Sequence, residues 1–198
     1  MSAGHDSRRE RDEWDARYRE RGSESDRAAS RWIIERSTGL PVDALILDLA
    51  GGTGRHAEPL ARGGRTVVLV DFVHRAVATA VARHERILGV VADGSALPFG
   101  PESFDAIVCV SFLDRSLFKA FAEMLKPGGV LVYETFTRGH LDVVARGAAR
   151  GPRNAAYLLE AGELPTLVAP LVVQEHDEGL VVDDAGERHV ARVMARKR

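Results

Sequence analysis

Short and almost wholly apolar runs recur along the middle of the chain. Segments of this length and character are typical of parallel strands that are buried on both faces of a sheet. They lie at residues 44–49, 66–71, 87–93, 104–110 and 130–134. Stretches with helical spacing separate them, at about 55–62, 75–84 and 116–125. This alternation predicts an α/β fold with a Rossmann-like, doubly wound sheet.

The last third of the chain has a different pattern. Residues 138–155 are rich in Gly, Arg and Ala, which predicts a loop or a loosely helical insert, and one more helix is expected to begin near Asn154. Residues 171–178 and 189–196 alternate between apolar and polar positions around the turn sequence Asp183-Asp184-Ala185-Gly186. Such a pair predicts an antiparallel C-terminal hairpin, which completes a mostly parallel seven-stranded sheet.

The first forty residues contain a helical pattern of their own. Residues 1–8 are predicted to be disordered, and residues 10–22 are predicted to form a densely charged helix. A second helix is predicted at residues 25–36, with Ser25 as its N-cap. The chain is therefore divided into an N-terminal helical arm at residues 1–40 and one α/β domain at residues 41–198.

The charge and the lengths of the apolar runs indicate which partners and which cellular compartment to expect. A net charge of −2 and a pI near 6.4 give no basic excess, so nucleic acid is not expected as a partner. No apolar run reaches the roughly 20 residues that span a bilayer, and the charged N-terminus lacks the apolar segment of a signal peptide. We therefore expect a cytoplasmic protein without a membrane partner. Residues 167–173 could pair between chains, so a monomer and a homodimer both stay open.

Two residue types that often carry chemistry are predicted to be structural. Cys109 lies inside the apolar run 106–110, which predicts a buried thiol and not a nucleophile. The histidines show no metal-ligand spacing, so no metal site is expected.

A glycine-rich loop follows the first strand of the predicted sheet. Such a turn lets the backbone approach a ligand and directs the first amides of the next helix at it. Residues 52–57, Gly-Thr-Gly-Arg-His-Ala, also fit the loose dinucleotide pattern, with Asp71 further along the chain. By itself this loop is compatible with an NAD enzyme as well as with one that binds S-adenosylmethionine (SAM).

Carboxylates at the strand ends separate these two cofactors. Asp48 directly precedes the glycines, where it would repel a pyrophosphate but accept a hydrogen bond from an ammonium group. Asp71 and Asp93 end the next two strands, and the carboxyl ends of neighbouring parallel strands line one crevice. Each aspartate alone could be a loop or helix cap, but three in register favour a cationic, hydroxyl-rich ligand such as SAM.

These residues resemble the motifs of the class I SAM-dependent methyltransferases. The matching segments are Leu47 to Gly54, Val70-Asp71, Ala92 to Asp105 and Leu125 to Gly129, and together they cover residues 44–136 in the family's order. Ala50 departs from the usual glycine, although a similar Ala-Gly-Gly-Thr-Gly loop occurs in quinone C-methyltransferases. The resemblance implies a seven-stranded sheet with an antiparallel end and SAM as the cofactor.

The resemblance also implies how SAM is held. Asp48 and Gly52 would flank its methionine part, and Asp71 would bind the ribose hydroxyls. Phe72, Asp93 and Gly94 would meet the adenine, while Ser111 and Phe112 would lie below the sulfonium, although Phe112 is equally compatible with ordinary core packing. The full set of cofactor residues is Asp48, Ala50, Gly51, Gly52, Gly54, Asp71, Phe72, Asp93, Gly94, Ser111 and Phe112.

Candidate catalytic residues are fewer. Trp14 and Tyr18 resemble an arm element with which small-molecule methyltransferases cover the cofactor, and a plain amphipathic helix explains them equally well. Arg138 and His140 follow the fifth strand, where acceptors commonly reach the methyl group. His140 could act as a base, or it could be a surface histidine in a glycine-rich loop.

The sequence indicates only the chemical class of the methyl acceptor. The arm and the segment 154–164 resemble the tellurite-resistance and thiopurine-like methyltransferases, which implies a small thiol, chalcogen or hydroxyl-bearing metabolite. The leading hypothesis is a small-molecule methyltransferase. An NAD(P)-dependent oxidoreductase and a SAM-binding protein without transferase activity are the alternatives.

Overall fold

The central sheet has seven strands in the order β3-β2-β1-β4-β5-β7-β6. The computed structural model describes residues 7–21, 28–149, 151–183 and 186–198. The strands are β1 Leu45–Leu49, β2 Thr66–Asp71, β3 Ile87–Val91, β4 Phe104–Val110, β5 Leu125–Phe136, β6 Val172–Asp183 and β7 Gly186–Arg196. β1 to β5 are parallel, and β7 is antiparallel to both β5 and β6. The predicted fold class is confirmed.

Helices cover both faces of the sheet. They are α1 Ser7–Arg21, α2 Arg31–Ser37, α3 Ala57–Arg62, α4 His74–Val81, α5 Leu117–Met124, α6 His140–Ala145 and α7 Leu164–Leu167. None of the helices within the described ranges is long and apolar enough to cross a membrane.

Two apolar cores result, because successive side chains of a strand point to opposite faces. On β1, Ile46 packs with residues of α2, α3 and α4, whereas Leu47 and Leu49 pack with residues of α5 and α7. Cys109 belongs to the second core and is fully buried, as predicted. The inner strands β1, β2 and β4 are therefore continuous apolar runs because both of their faces are covered, whereas the edge strand β3 is largely exposed.

All seven strands lie where they were predicted, but the predicted strands near the C-terminus of the chain are shorter than the observed ones. β2 and β4 have the predicted bounds, whereas β3 ends two residues early, at Val91. β5 begins at Leu125 instead of residue 130, since Leu125 pairs with Phe104 before a register shift. The hairpin strands are also longer than predicted, and the turn residues 184 and 185 lie outside the described residues.

The prediction that a helix begins near Asn154 is wrong. Residues 155–157 form a single 3₁₀ turn, in which the Asn154 side chain accepts a hydrogen bond from the Ala156 amide. Leu158 and Leu159 are then fully buried, and the Leu159 amide donates to the Phe136 carbonyl. The backbone of this segment hydrogen-bonds to the end of β5 instead of forming the internal hydrogen bonds of a helix. Within residues 138–155, α6 is the helical part of the predicted insert.

The arm also differs in its boundaries. Residues 7 and 8 already belong to α1, so the prediction of disorder fails there, while residues 1–6 lie outside the described residues. α2 begins at Arg31 and residues 28–30 are not helical; the predicted cap, Ser25, is also outside the described residues. Ser30 takes the N-cap position instead.

Candidate cofactor site

The loop after β1 makes a tight turn at the carboxyl edge of the sheet. Ala50, Gly52 and Gly54 all have positive φ angles, of 54°, 56° and 86°. The Gly51 amide donates to the Val70 carbonyl at 3.2 Å, which ties the loop to β2. Alanine tolerates the left-handed region only at some cost in strain, so the neighbouring contacts must hold Ala50 there.

Glycine is required in this loop for space as well as for conformation. A Cβ atom on Gly51 would lie 2.8 Å from Oδ2 of Asp48, and one on Gly52 would lie 2.9 Å from the Tyr18 hydroxyl oxygen. A Cβ atom on Gly54 would lie 2.9 Å from Cβ of Ala80. The bare backbone is therefore packed between β1, the arm and α4.

Asp71, the last residue of β2, fastens the loop. Its two carboxylate oxygens accept hydrogen bonds from the amides of Gly52 and Val73, each at 3.0 Å. Burial raises the pKa of Asp71, and the amides of Val73, Gly52 and Phe72 oppose that rise. A carboxylate has about four acceptor positions, so Asp71 can still accept from a ligand hydroxyl.

The carboxylate of Asp48 lies directly before the glycine loop and has an unsatisfied hydrogen-bond acceptor among the described residues. It is 1% exposed, and its Oδ2 atom has no hydrogen-bond partner among the described residues. Burial raises the pKa of Asp48 to about 7; the guanidinium of Arg55 and the Ala57 amide lower it, and the carboxylate of Asp71 raises it further. A buried carboxylate with an unmet acceptor atom is suited to a cationic donor.

The predicted adenine side lies past β2, β3 and β4. Phe72 is half-buried, and Gly94 opens a 3₁₀ turn, closed by a 3.0 Å bond from the Ala96 amide to the Asp93 carbonyl. A Cβ atom on Gly94 would lie 3.5 Å from the ring of Phe112. Phe112 therefore closes on the loop after β3, and it also packs against the α5 core. Both of its predicted roles fit this position.

Ser111 is the turn point after β4. It is exposed and has a φ angle of 60°, and its amide donates to the Glu134 carbonyl at 2.8 Å. The structure thus brings the predicted cofactor residues to one edge of the sheet.

The arm helix α1 lies over this edge. The Tyr18 hydroxyl reaches Gly52, Asp15 pairs with Arg75 of α4 at 3.4 Å, and Glu10 accepts a hydrogen bond from Tyr157. Burial and the Glu10 carboxylate raise the pKa of Tyr157 to about 12, so its hydroxyl stays a donor. These contacts are consistent with the predicted covering role of the arm, which stays a prediction.

His140 has surroundings unlike those expected for a surface loop. It is the first residue of α6 and fully buried, with its ring centroid 4.4 Å from that of Phe136. Its Nδ1 atom accepts from the His189 amide at 3.3 Å. The surface-histidine alternative is therefore wrong. A catalytic role for His140 stays a prediction that this packing does not favour.

Arg138 is exposed and forms a 2.6 Å ion pair with Glu160. The guanidinium is thus engaged at the rim of the site. Its predicted contribution to the acceptor site also stays untested.

A buried polar network, which the sequence pattern did not predict, lies beside the loop. Glu134 of β5 is fully buried and accepts from Arg188 at 2.5 Å, from Arg192 at 2.9 Å and from the Ser30 hydroxyl at 3.0 Å. The Ser30 amide donates to Nε2 of His56 at 3.1 Å. One sequence signal was available: Glu134 ends the predicted apolar run 130–134, as Asp71 ends the run 66–71.

Part of this chain is similar in sequence to known methyltransferases. A family profile described as "Methyltransferase domain" matches residues 46–129, the strands and loops that carry the predicted contacts. A demethylmenaquinone methyltransferase of Renibacterium salmoninarum is 38% identical over 115 residues, which are 54% of this chain and 48% of that protein. The chain spans about half the length of the curated relatives it matches.

Solved structures agree at the level of the fold. A SAM-dependent methyltransferase of Methanosarcina mazei superposes with a TM-score of 0.68 and 22% identity, covering 86% of this chain and 98% of that one. TehB of Haemophilus influenzae gives a TM-score of 0.67 and 19% identity, covering 86% and 63%. Residues 46–129 therefore match a methyltransferase domain, and the chain shares the fold of these solved structures.

Proposed function

We propose that this protein binds SAM at the carboxyl edge of β1 and β2 and transfers its methyl group to a small molecule. The observation that carries the proposal is the buried, unmet Oδ2 of Asp48 beside a glycine loop. An ammonium group would satisfy that oxygen and neutralise the carboxylate. The pyrophosphate of NAD would instead bring further negative charge to it.

The remaining contacts follow from the strand ends. Asp71 would accept from the ribose hydroxyls through its spare lone pairs, and Asp93 and Gly94 would meet the adenine edge. Phe72 would lie along the adenine ring, with Ser111 and Phe112 on the sulfonium side. Tyr18 would cover the methionine part, because its hydroxyl already lies over Gly52.

Little further chemistry is needed from the side chains. Bound SAM supplies an electrophilic methyl group on a sulfonium. The chain's own contribution is to align the acceptor with that methyl and to exclude water, which provides much of the rate enhancement in such transfers. The acceptor would enter between the arm and the ends of β4 and β5, near Ser111 and Arg138.

The curated relatives suggest which acceptor to try first. Since they are named demethylmenaquinone methyltransferases, we propose an aromatic hydroxyl compound of the hydroquinone kind. Small thiols and chalcogen oxyanions form the second panel, because the arm and the segment 154–164 resemble the tellurite-resistance and thiopurine-like methyltransferases. A cytoplasmic location and a monomeric or homodimeric state stay predictions.

Calorimetry with SAM, S-adenosylhomocysteine and NAD tests the cofactor. We expect binding of SAM and S-adenosylhomocysteine in the micromolar range or tighter, and none of NAD. Binding of NAD without SAM would overturn the proposal in favour of an oxidoreductase.

Transfer of a labelled methyl group from SAM tests the reaction. Mass spectrometry would follow the label into a demethylated naphthohydroquinone, a thiol panel and a metabolite extract. A labelled product identifies the acceptor. SAM binding with no labelled product under any condition would support a binding role instead.

A further inference from the structure

Ser30 lies within the N-terminal arm, between α1 and α2 in the chain. It is 2% exposed and directly precedes α2, and it uses both its amide and its hydroxyl in buried hydrogen bonds. The amide donates to Nε2 of His56 at 3.1 Å, and the hydroxyl donates to Oε2 of Glu134 at 3.0 Å. One residue therefore connects a segment after the glycine loop with the end of β5.

His56 follows the glycine loop by two positions and is the N-cap residue of α3. Its burial, together with the charges of Arg55 and Arg188, lowers the pKa of this histidine well below its usual value. The ring is therefore neutral, and since Nε2 accepts from Ser30, the proton is on Nδ1. Fixing this ring fixes the start of α3, which directly follows the glycine loop.

Glu134 is held rigidly on its other side. Arg188 and Arg192 of β7 both donate to its carboxylate, and its backbone carbonyl accepts from the Ser111 amide. Ser111 is the residue after β4 on the predicted sulfonium side. The Ser30 hydroxyl is thus anchored to a part of the sheet that cannot shift without breaking buried ion pairs.

We infer that Ser30 is a positioning residue, which sets the glycine loop and the root of the arm relative to the ends of β4 and β5 through His56 and Glu134. The inference rests on the proposed SAM site. Ser30 itself need not touch SAM or the acceptor. Its effect is on the placement of the loop amides and of Tyr18, which the same arm carries over Gly52.

The matched control is Ser37, a second buried serine at the other end of α2. It is 1% exposed, and its hydroxyl donates only locally, to the Ile33 carbonyl at 2.8 Å. Ser30→Ala and Ser37→Ala each delete one buried hydroxyl, so similar losses of unfolding free energy are expected. Only Ser30→Ala removes the connection to Glu134.

SAM affinity, measured by calorimetry on the full chain, separates the two roles. We expect Ser30→Ala to raise the Kd for SAM by roughly 5–20-fold, the equivalent of one hydrogen bond. Ser37→Ala should change it less than about twofold, and Ser30→Thr, which keeps the hydroxyl, should restore most of the affinity. Equal losses in both alanine variants, or no rescue by threonine, would overturn the inference.

Hydrogen exchange on the SAM-free protein gives a readout that does not need the cofactor. Ser30→Ala should accelerate amide exchange in residues 51–57 and in α1, and Ser37→Ala should not. Unchanged exchange in these segments would also overturn the inference. Failure of the wild-type protein to bind SAM would refute the proposed function, while the exchange result would still decide the role of Ser30.

Discussion

At the scale of single residues, the site is organised around two aspartates with different tasks. Asp71 is satisfied by the amides of Gly52 and Val73 and holds the loop. Asp48 is buried with one oxygen unmet, so it costs stability whenever it is ionised. Such a group is retained where a ligand supplies the missing partner, and its removal should separate stability from binding.

We predict that Asp48→Asn stabilises the SAM-free protein and weakens SAM binding. The pKa of Asp48 in the folded protein, about 7, lies above its ordinary value of 3.8, so the native state binds more protons between these values. The wild type therefore loses stability as pH rises from about 4 to 7, by up to roughly 4 kcal/mol from this group. Denaturant unfolding across this range should show a smaller loss in the variant.

The affinity for SAM should depend on pH in the opposite direction to the stability of the SAM-free protein. Affinity of the wild type is expected to rise as pH increases through 7, because only the ionised carboxylate attracts the ammonium. Asp48→Asn should lose about 1.5–3 kcal/mol of binding free energy at pH 8, typical of a hydrogen bond to a charged group. Equal affinity in the variant would place the ammonium elsewhere.

Gly52→Ala should weaken SAM binding by at least about tenfold. The added methyl would meet the Tyr18 hydroxyl at 2.9 Å, and the φ angle of 56° is strained for alanine. Gly128→Ala is the control, since its φ angle is 78° but no atom lies within 4 Å of its Cβ position. Both variants should lose about 1–2 kcal/mol of stability, whereas only Gly52→Ala should change the calorimetric Kd.

At the scale of elements, the C-terminal hairpin does more than close the sheet. β7 lies between β5 and β6, and its Arg192 is directly opposite Glu134 in the ladder. Arg188 bridges Glu134 and Asp183 of β6. Charged side chains buried between strands are costly unless paired, so the three strands depend on one another for their register.

Glu134→Gln is expected to destabilise the protein by about 3–5 kcal/mol, because two guanidinium groups are left buried beside a neutral side chain. Glu175→Gln is the comparison: Glu175 of β6 pairs with Arg36 but is 38% exposed, and its loss should cost less than about 1 kcal/mol. Chemical denaturation measures both. Similar small losses would mean that the buried network contributes little to the register.

At the scale of the whole molecule, the site belongs to three parts of the chain. The loop and strand ends come from the first half of the domain, the cover from α1, and the anchor of Glu134 from β7. A ligand that contacts all of them stabilises the folded state as a unit. The expected size of that effect follows from mass action.

SAM at about 100 times its Kd should add about 2.7 kcal/mol to the unfolding free energy. For a domain of this size that corresponds to a rise in Tm of roughly 5–10 °C. Differential scanning fluorimetry with SAM, S-adenosylhomocysteine and NAD measures it. A rise with NAD alone would contradict the cofactor assignment.

Local pattern was sufficient for much of the fold. β2 and β4 have the predicted bounds because a strand buried on both faces requires an unbroken apolar run. The glycine loop and the placement of Asp48 and Asp71 were also predictable, since parallel strands bring their carboxyl ends to one edge. The structure of segment 154–164 was not predictable, because Leu159 hydrogen-bonds to the end of β5 although the spacing of its neighbours is helical.

The sequence by itself therefore determined most of the sheet and predicted the class of cofactor, because both depend on periodicity and on neighbours close in the chain. Only the tertiary structure decided the burial of His140, the cover of Gly52 by Tyr18 and the network around Glu134. Ser30 and Arg192 lie 104 and 58 positions from Glu134. No spacing rule joins such residues, because their contact depends on how helices and strands pack and not on the pattern within any one of them.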